Sequence, residues 1–187
     1  VTIDVLMPII LRKDNIIATA SLIFEGRPEG PSISYGNKIK KNKAGTMLII
    51  YSGNNYDGPF LTLLEKTSNI FYNKLLEDKT PSIEDIPKEF IEILTGMSEA
   101  DKDFSCMLVT KLKTFHIKLY AENQVMLYTY DKEELVYAGG GSNIISSLSN
   151  TNNLSVPCIV QKVINYTGSC NGNINVFDLN LLRDIEI

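Results

Sequence analysis

Strand-type and helical patterns occupy separate blocks of this chain of 187 residues, and this segregation is the strongest constraint on its fold. The first block is β-prone and ends in a near-continuous apolar run at residues 46–52, which predicts a strand buried on both faces. Two helical patterns follow, and then a second block of strands. A parallel βαβ fold would alternate the two types, so this order favours antiparallel sheets covered by helices. We predict an α+β fold, a four-layer αββα sandwich formed by residues 1–187 as a single domain.

The first block predicts an antiparallel hairpin. Residues 5–11 and 16–24 are rich in Ile, Leu and Val, and a polar turn at residues 12–15 separates them. A polar, glycine- and proline-containing loop is predicted over residues 25–36, leading into a short strand at residues 35–39.

Helical periodicity begins after a turn cluster that ends in Pro59. Apolar residues then recur every three or four positions over residues 60–75, which predicts an amphipathic helix. A second helix is predicted over residues 86–94, with Asp85 as its N-cap and Gly96 as its end. The remaining patterns predict four strands at residues 104–112, 115–120, 125–130 and 134–138. Two helices follow, at residues 143–148 and between a cap at Ser155 and an end at Gly168, and then a final strand at residues 173–179.

Three consecutive glycines, Gly139, Gly140 and Gly141, follow the strand predicted at residues 134–138. Glycine carries a high conformational entropy cost on folding, so such a run indicates that bare backbone is needed there. The need arises in tight strand-to-helix turns, or where the backbone lies against a ligand, a substrate chain or another subunit. The run lacks the GxGxxG and GKS contexts, so it does not predict a nucleotide site.

Composition excludes several classes of function. A net charge of −4 and a pI near 5.1 argue against a nucleic-acid-binding surface, and Lys38 with its three lysine neighbours is interpreted as a solvated cluster. We predict no membrane span, since no apolar run reaches about 18 residues, and no signal peptide, since Asp4 interrupts the first apolar run. Three cysteines without metal-ligand spacing and a single histidine predict no metal and no cofactor. The expected location is the cytoplasm, and also the nucleus if the source is eukaryotic.

His116 is the single histidine, and two interpretations of it stay open. It is a satisfied strand residue, or it forms a Ser–His or Cys–His arrangement with Ser105 or Cys106 as distant partners. Cys106 itself lies in an apolar run that is typical of a core position.

Five features follow one another in a fixed order along the chain: Thr2-Ile3, Lys38-Ile39, Tyr51-Ser52-Gly53, Gly139-Gly140-Gly141-Ser142 and residues 168–179. Together they resemble the proteasome β-subunit family, which includes the bacterial ATP-dependent HslV-type protease. The members of this family are N-terminal nucleophile hydrolases with a threonine-led first strand, an active-site lysine, small-residue and glycine turns before helices, and a closing strand.

The resemblance implies the chemistry of a threonine peptidase. A freed N-terminal threonine attacks the peptide carbonyl while its α-amine accepts the proton, a lysine supports proton transfer, and glycine N–H groups stabilise the oxyanion. Carried over to this sequence, the catalytic set is Thr2, Lys38, Gly139, Gly140 and Gly141. The partners implied are other copies or paralogous subunits in a ring, and an ATPase unfoldase.

The sequence departs from the family at two positions. The segment Thr19-Ala20-Ser21 stands where the family has the aspartate that orients the lysine. The nucleophile position falls on Val1 or Asp4, depending on the alignment of the first strand, and Thr2 would require removal of Val1. We therefore expect a proteasome-like ring subunit that is non-catalytic and serves as a scaffold. The alternatives are an active threonine peptidase working with an ATPase, and an unrelated α+β binding protein.

Overall fold

The computed structural model describes eleven segments of the chain, which carry the sheets and the helices. They are residues 9–20, 22–25, 32–35, 38–52, 58–96, 104–120, 124–139, 145, 153–167, 174–180 and 183–185.

Strands account for most of the described elements. In chain order they are β1 (Ile10–Lys13), β2 (Ile16–Ala20), β3 (Leu22–Glu25), β4 (Ser32–Tyr35), β5 (Lys40–Lys41), β6 (Leu48–Ser52), β7 (Ser105–Val109), β8 (Lys113–Tyr120), β9 (Gln124–Asp131), β10 (Val136–Ala138), β11 (Ile174–Asp178) and β12 (Arg183–Ile185). The helices are α1 (Gly58–Leu76), α2 (Lys88–Thr95) and α3 (Val156–Thr167), and a short 3₁₀ turn spans Ile83–Asp85.

The strands form two five-stranded sheets and a two-stranded ribbon. Sheet I has the order β10-β1-β2-β11-β12, sheet II has the order β5-β6-β7-β8-β9, and β3 pairs with β4 in the ribbon. Every pairing is antiparallel. The predicted hairpin is confirmed, since β1 and β2 pair across the turn that follows Lys13.

Three apolar clusters show the layer order. One lies between α1, α2 and one face of sheet II, and a second lies between α3 and one face of sheet I. The third contains residues of both sheets, such as Ile10 and Ile17 from sheet I and Ile50 and Met107 from sheet II, and it fills the space between them. The layers are therefore helices, sheet II, sheet I and helix, so the predicted α+β fold with antiparallel sheets is confirmed.

Strict alternation of side chains sorts the residues of the central strands between layers. In β6, Ile49 joins the cluster under α1 and α2, whereas Leu48 and Ile50 join the cluster between the sheets. Both faces of this strand are buried, as its continuous apolar sequence predicts. On α1, Phe60, Leu64 and Phe71 are buried in the helix-side cluster, which confirms the predicted amphipathic face.

Some predicted boundaries are wrong because distant pairing decided them. Asp85 is not the cap of α2: it ends the 3₁₀ turn and accepts a hydrogen bond from the backbone of Ser82, and Pro87 takes the cap position. The predicted strand at residues 35–39 is replaced by β4 and β5, and β4 lies inside the predicted loop because it pairs with β3.

The sequence pattern did not predict β12. The helix predicted at residues 143–148 lies outside the described residues except for Ile145, which is buried under α3.

A buried arginine connects the two sheets. The guanidinium of Arg12 donates through Nε to the carbonyl of Asp14 at 2.7 Å, through Nη1 to Thr114 Oγ1 at 2.6 Å, and through Nη2 to the carbonyl of Lys111 at 2.9 Å. Asp14 also donates its N–H to the carbonyl of Lys132 at 2.6 Å. These contacts join the turn after β1 to the turns after β7 and β9 at one end of the sandwich.

Candidate functional site

The opposite end of the sandwich brings together three strand termini of sheet I. There β1 begins while β2 and β10 end, because Ile10 pairs with Thr19 on one side and with Ala138 on the other. Adjacent strands lie about 4.8 Å apart, so Thr19 and Ala138 flank the start of β1 at a separation of roughly 10 Å. This end is the candidate site.

Lys38 reaches this end from the segment before β5. Its Nζ donates a hydrogen bond to the carbonyl of Ala20, the last residue of β2, at 2.8 Å. Ala20 also donates its N–H to the carbonyl of Ile9 across a stretched 3.4 Å, so the lysine binds where the β1–β2 ladder ends. The next residue, Ile39, is buried between the sheets and anchors the segment.

Gly139 follows β10 at the same end and has a positive φ of 94°, a conformation that favours glycine. It lies directly after Ala138, which pairs with Ile10, while Lys38 lies on the β2 side of β1. Of the residues predicted from the resemblance, Lys38 and Gly139 thus share one end of sheet I. Thr2, Gly140 and Gly141 lie outside the described residues.

Thr19 contributes an unusual group to this end. Its side chain is fully buried, and its Oγ1 has no hydrogen-bond partner among the described residues. It lies on the face of β2 that also carries Ile17, which packs between the sheets. A buried hydroxyl without a partner keeps its desolvation cost with no compensating bond.

We predict that Thr19→Val leaves the free energy of unfolding unchanged or raises it by up to about 1 kcal/mol, because the variant removes an uncompensated hydroxyl at similar volume. The matched control is Thr114→Val, whose hydroxyl accepts a bond from the Arg12 guanidinium; its expected loss is about 1.5–3 kcal/mol. Urea unfolding of both variants checks the pair. A clear destabilisation by Thr19→Val would contradict the assignment of this hydroxyl as unsatisfied.

Sheet II contributes a Ser–His pair to the layer between the sheets. Ser105 Oγ and His116 Nε2 share a hydrogen bond of 2.8 Å, and both side chains are buried. Ser105 is one of the two partners that the sequence offered for His116, and the β7–β8 register makes them diagonal neighbours on one face. Burial lowers the pKa of His116 to about 4, and the positive charge of Lys118 is a smaller cause in the same direction. The imidazole is therefore neutral at pH 7. Burial also raises the pKa of the Cys106 thiol, as expected for the core position predicted.

Arg12 is one polar group of this layer that the sequence did not indicate. It occupies an inward-facing position of β1, two residues after Ile10. The alternation of side chains along a strand that is buried on both faces was the available signal. The Ser105–His116 pair was one of two interpretations left open, and strand register decided between them.

Within the described segments, no group of three or more His, Cys, Asp or Glu side chains could hold a metal ion. None of the helices in the part of the chain that the structure describes is long and apolar enough to cross a membrane.

The fold is a four-layer αββα sandwich, in which two antiparallel sheets pack face to face between layers of helices. Among solved structures, eukaryotic HslV from Trypanosoma brucei is similar to this chain, with a TM-score of 0.52 and 15% sequence identity over 92% of this chain and 99% of that chain. No family model matches the sequence, and no curated protein matches it. The chain therefore has an HslV-like fold at low sequence identity, and the fold resemblance predicted from the sequence is confirmed.

Proposed function

We propose that this chain is a non-catalytic subunit of a proteasome-like ring, in which it serves as a scaffold. The observation that carries the proposal is the sequence at the end of β2, where Thr19 and Ala20 stand in place of the aspartate that the family resemblance implies. Lys38 reaches this strand end and donates a hydrogen bond to the carbonyl of Ala20, which makes it a brace for the end of the strand. In the chemistry of the family, an acid at this position orients the lysine for proton transfer.

The HslV-like fold supports the assembly half of the proposal, because the T. brucei protein and this chain share the same arrangement over nearly their full lengths. We propose that the partners are further copies or paralogous subunits in a ring, with an ATPase unfoldase as a further partner. We also propose one domain over residues 1–187 and a cytoplasmic location.

The alternative is an active threonine peptidase, and one observation favours it. Lys38 and Gly139 lie on either side of the start of β1, which is where a lysine and an oxyanion-binding turn would be needed. In that case Thr2 would be the nucleophile after removal of Val1, and Gly140 and Gly141 would complete the glycine turn.

The first experiment combines electron microscopy of the purified protein with an assay of peptide hydrolysis, on the unmodified chain and on a variant that begins at Thr2. We expect rings and no hydrolysis above that of heat-denatured protein. Monomers would contradict the ring assembly, and hydrolysis that requires the free Thr2 would establish the alternative.

Lys38→Ala separates the two functions of the lysine. As a brace, Lys38 contributes a charge-assisted hydrogen bond, so we expect the variant to lose roughly 1–2 kcal/mol in the free energy of unfolding with no change in hydrolysis. Lys40→Ala is the matched control, because Lys40 is exposed on β5, and it should leave both quantities unchanged. Hydrolysis that Lys38→Ala abolishes and Lys40→Ala preserves would overturn the scaffold proposal.

A further inference from the structure

β9 differs from the other described strands that lie at the edges of the two sheets. The other three are short: β5 has two residues, both lysines, and β10 and β12 have three each. Short strands and lysines are devices that protect a sheet edge from further pairing. β9 has eight residues, contains no lysine, proline or glycine, and carries its one charge at its last residue, Asp131. The edge that it forms therefore lacks these protections.

Solvent reaches β9 along its whole length. Each of its residues is at least partly exposed, whereas the neighbouring β8 buries five of its eight residues. Met126, on the face of β9 that points toward sheet I, is 41% exposed, so sheet I does not cover this part of the strand. In the part of the chain that the structure describes, β9 pairs with β8 alone.

The hydrogen bonds around β8 show which backbone groups of β9 are free. In an antiparallel sheet a residue directs its N–H and C=O to one neighbouring strand, and the next residue directs them to the other. The Lys113 carbonyl accepts a bond from Thr110 at 2.9 Å, so the odd-numbered residues of β8 bond toward β7 and the even-numbered ones toward β9. The Lys132 N–H donates to the Leu112 carbonyl at 3.0 Å, which agrees with this alternation. Even-numbered residues of β8 pair with even-numbered residues of β9, so the odd-numbered residues of β9 point away from β8.

The free backbone groups of the β9 edge belong to Val125, Leu127 and Thr129. Each of them directs an N–H and a C=O away from β8. Asp131 has the same direction, but its N–H donates to the Glu134 carboxylate at 2.8 Å and its carbonyl accepts from the Glu134 N–H at 3.1 Å. The turn after β9 thus closes that end, and three donors and three acceptors remain, centred on Leu127.

This arrangement is complementary to itself. A second β9 that runs antiparallel, related by a two-fold axis at Leu127, places Leu127 opposite Leu127 and Val125 opposite Thr129. The three N–H groups of each strand then meet the three carbonyls of the other. Met126 lies opposite Tyr128, a pairing that brings a thioether against an aromatic ring. Residues 124–130 contain no charged side chain, so no like charges are brought together.

We propose that the edge of β9 is an interface between two copies of this chain. In this interface β9 pairs antiparallel with β9 of the second copy about a two-fold axis at Leu127, and the two copies of sheet II form one continuous sheet. A ring propagates through heterologous contacts, whereas this contact is isologous, so it is additional to the contacts of the proposed ring and does not depend on them.

Sedimentation velocity of the full chain over a range of concentrations tests the interface with Thr129→Pro. Proline removes an N–H that points away from β8, so the β8–β9 hydrogen bonds remain while each copy loses one bond to the other. We expect the unmodified chain to associate reversibly in pairs. In Thr129→Pro the association should be roughly 30-fold weaker or more, since two hydrogen bonds are lost by symmetry. The matched control is Thr129→Val, which keeps the N–H and should associate like the unmodified chain.

Met126→Glu is a second variant that leaves the backbone of β9 unchanged, and it decides if Thr129→Pro does not fold. Met126 pairs with Lys118 of β8, so a glutamate there is compatible with the single chain. In the paired state the same carboxylate lies against Tyr128 of the partner subunit and loses water. We expect the association of Met126→Glu to be at least about 10-fold weaker.

Mixed disulfides test the register of the two strands. Met126 and Tyr128 of the partner subunit form a non-hydrogen-bonded pair, in which Cα atoms lie about 4.5 Å apart. Chains with Met126→Cys and chains with Tyr128→Cys, both carrying Cys158→Ser to remove the exposed native thiol, should therefore form a disulfide dimer faster when mixed than either does alone.

Three outcomes would overturn the proposal: an unmodified chain that stays monomeric, folded Thr129→Pro and Met126→Glu variants that associate as tightly as the unmodified chain, or mixed chains that form disulfides no faster than each chain alone. The proposed ring is tested separately by electron microscopy. If Thr129→Pro forms rings of the same mass as the unmodified chain, the β9 interface is wrong and the ring proposal stands.

Discussion

Arg12→Ala is expected to lower the free energy of unfolding by roughly 3 kcal/mol or more, although Arg12 lies far from the candidate site. The substitution leaves Thr114 Oγ1 and the carbonyls of Asp14 and Lys111 without their charged donor, and it opens a cavity between the sheets. Burial lowers the pKa of the guanidinium to about 10, so it remains charged at neutral pH. Relief of the cost of burying that charge offsets part of the loss.

Urea unfolding at pH 7 measures the effect, and two variants control it. Lys111→Ala removes an exposed side chain at a residue that contributes only its carbonyl to this contact, so we expect a change within about 0.5 kcal/mol. Arg12→Lys keeps the charge but lacks the planar fork that reaches three acceptors, so it should recover little of the stability. If Arg12→Ala unfolds like the unmodified chain, the buried guanidinium is not what connects the two sheets.

Phe60→Ala is expected to cost roughly 3–5 kcal/mol, the range for removal of a fully buried aromatic side chain. Phe60 lies in the first turn of α1, where its ring centroid is 5.3 Å from that of Phe90 on α2 and 5.5 Å from that of Phe104 before β7. The contact with Phe104 is edge-to-face, and such pairs contribute about 0.5–1.5 kcal/mol beyond burial. One ring therefore holds both helices of the outer layer against sheet II.

The adjacent residue gives a close control for this prediction. Leu61 is 39% exposed, so Leu61→Ala should change the free energy of unfolding by no more than about 0.5 kcal/mol. Phe60→Leu, which keeps an apolar side chain of nearly the same reach, should cost about 1.5 kcal/mol or less. Thermal unfolding followed by circular dichroism distinguishes the three variants. Equal losses for Phe60→Ala and Leu61→Ala would contradict the role assigned to the aromatic cluster.

Local patterns predicted much of the fold because buried side chains recur at different spacings in helices and in strands. The three-to-four-residue spacing between Phe60 and Phe71 matches the face of α1 that is buried. The unbroken apolar run that became β6 predicted burial on both faces, and a sandwich requires such strands. Segregated blocks of strands and helices then excluded a parallel fold.

Local pattern was insufficient where a distant partner decided the conformation. The segment of β4 contains few strand signals, and it forms a strand because β3 is available as its partner. Asp85 has the chemistry of a helix cap, but a nearer backbone group, the N–H of Ser82, takes its carboxylate. In the candidate site, sequence predicted Lys38 and Gly139 through their order along the chain. It did not predict that the lysine would bind a carbonyl at the end of β2.

The sequence by itself determined the order and type of most elements and their layering, since hydrophobic periodicity depends on residues only a few positions apart. Tertiary structure decided which buried polar groups meet. Arg12 contacts Thr114 across 102 positions, and Ser105 meets His116 through the register of two strands. Hydrogen bonds act over about 3 Å, so such pairs depend on strand register and sheet stacking, which local pattern does not specify.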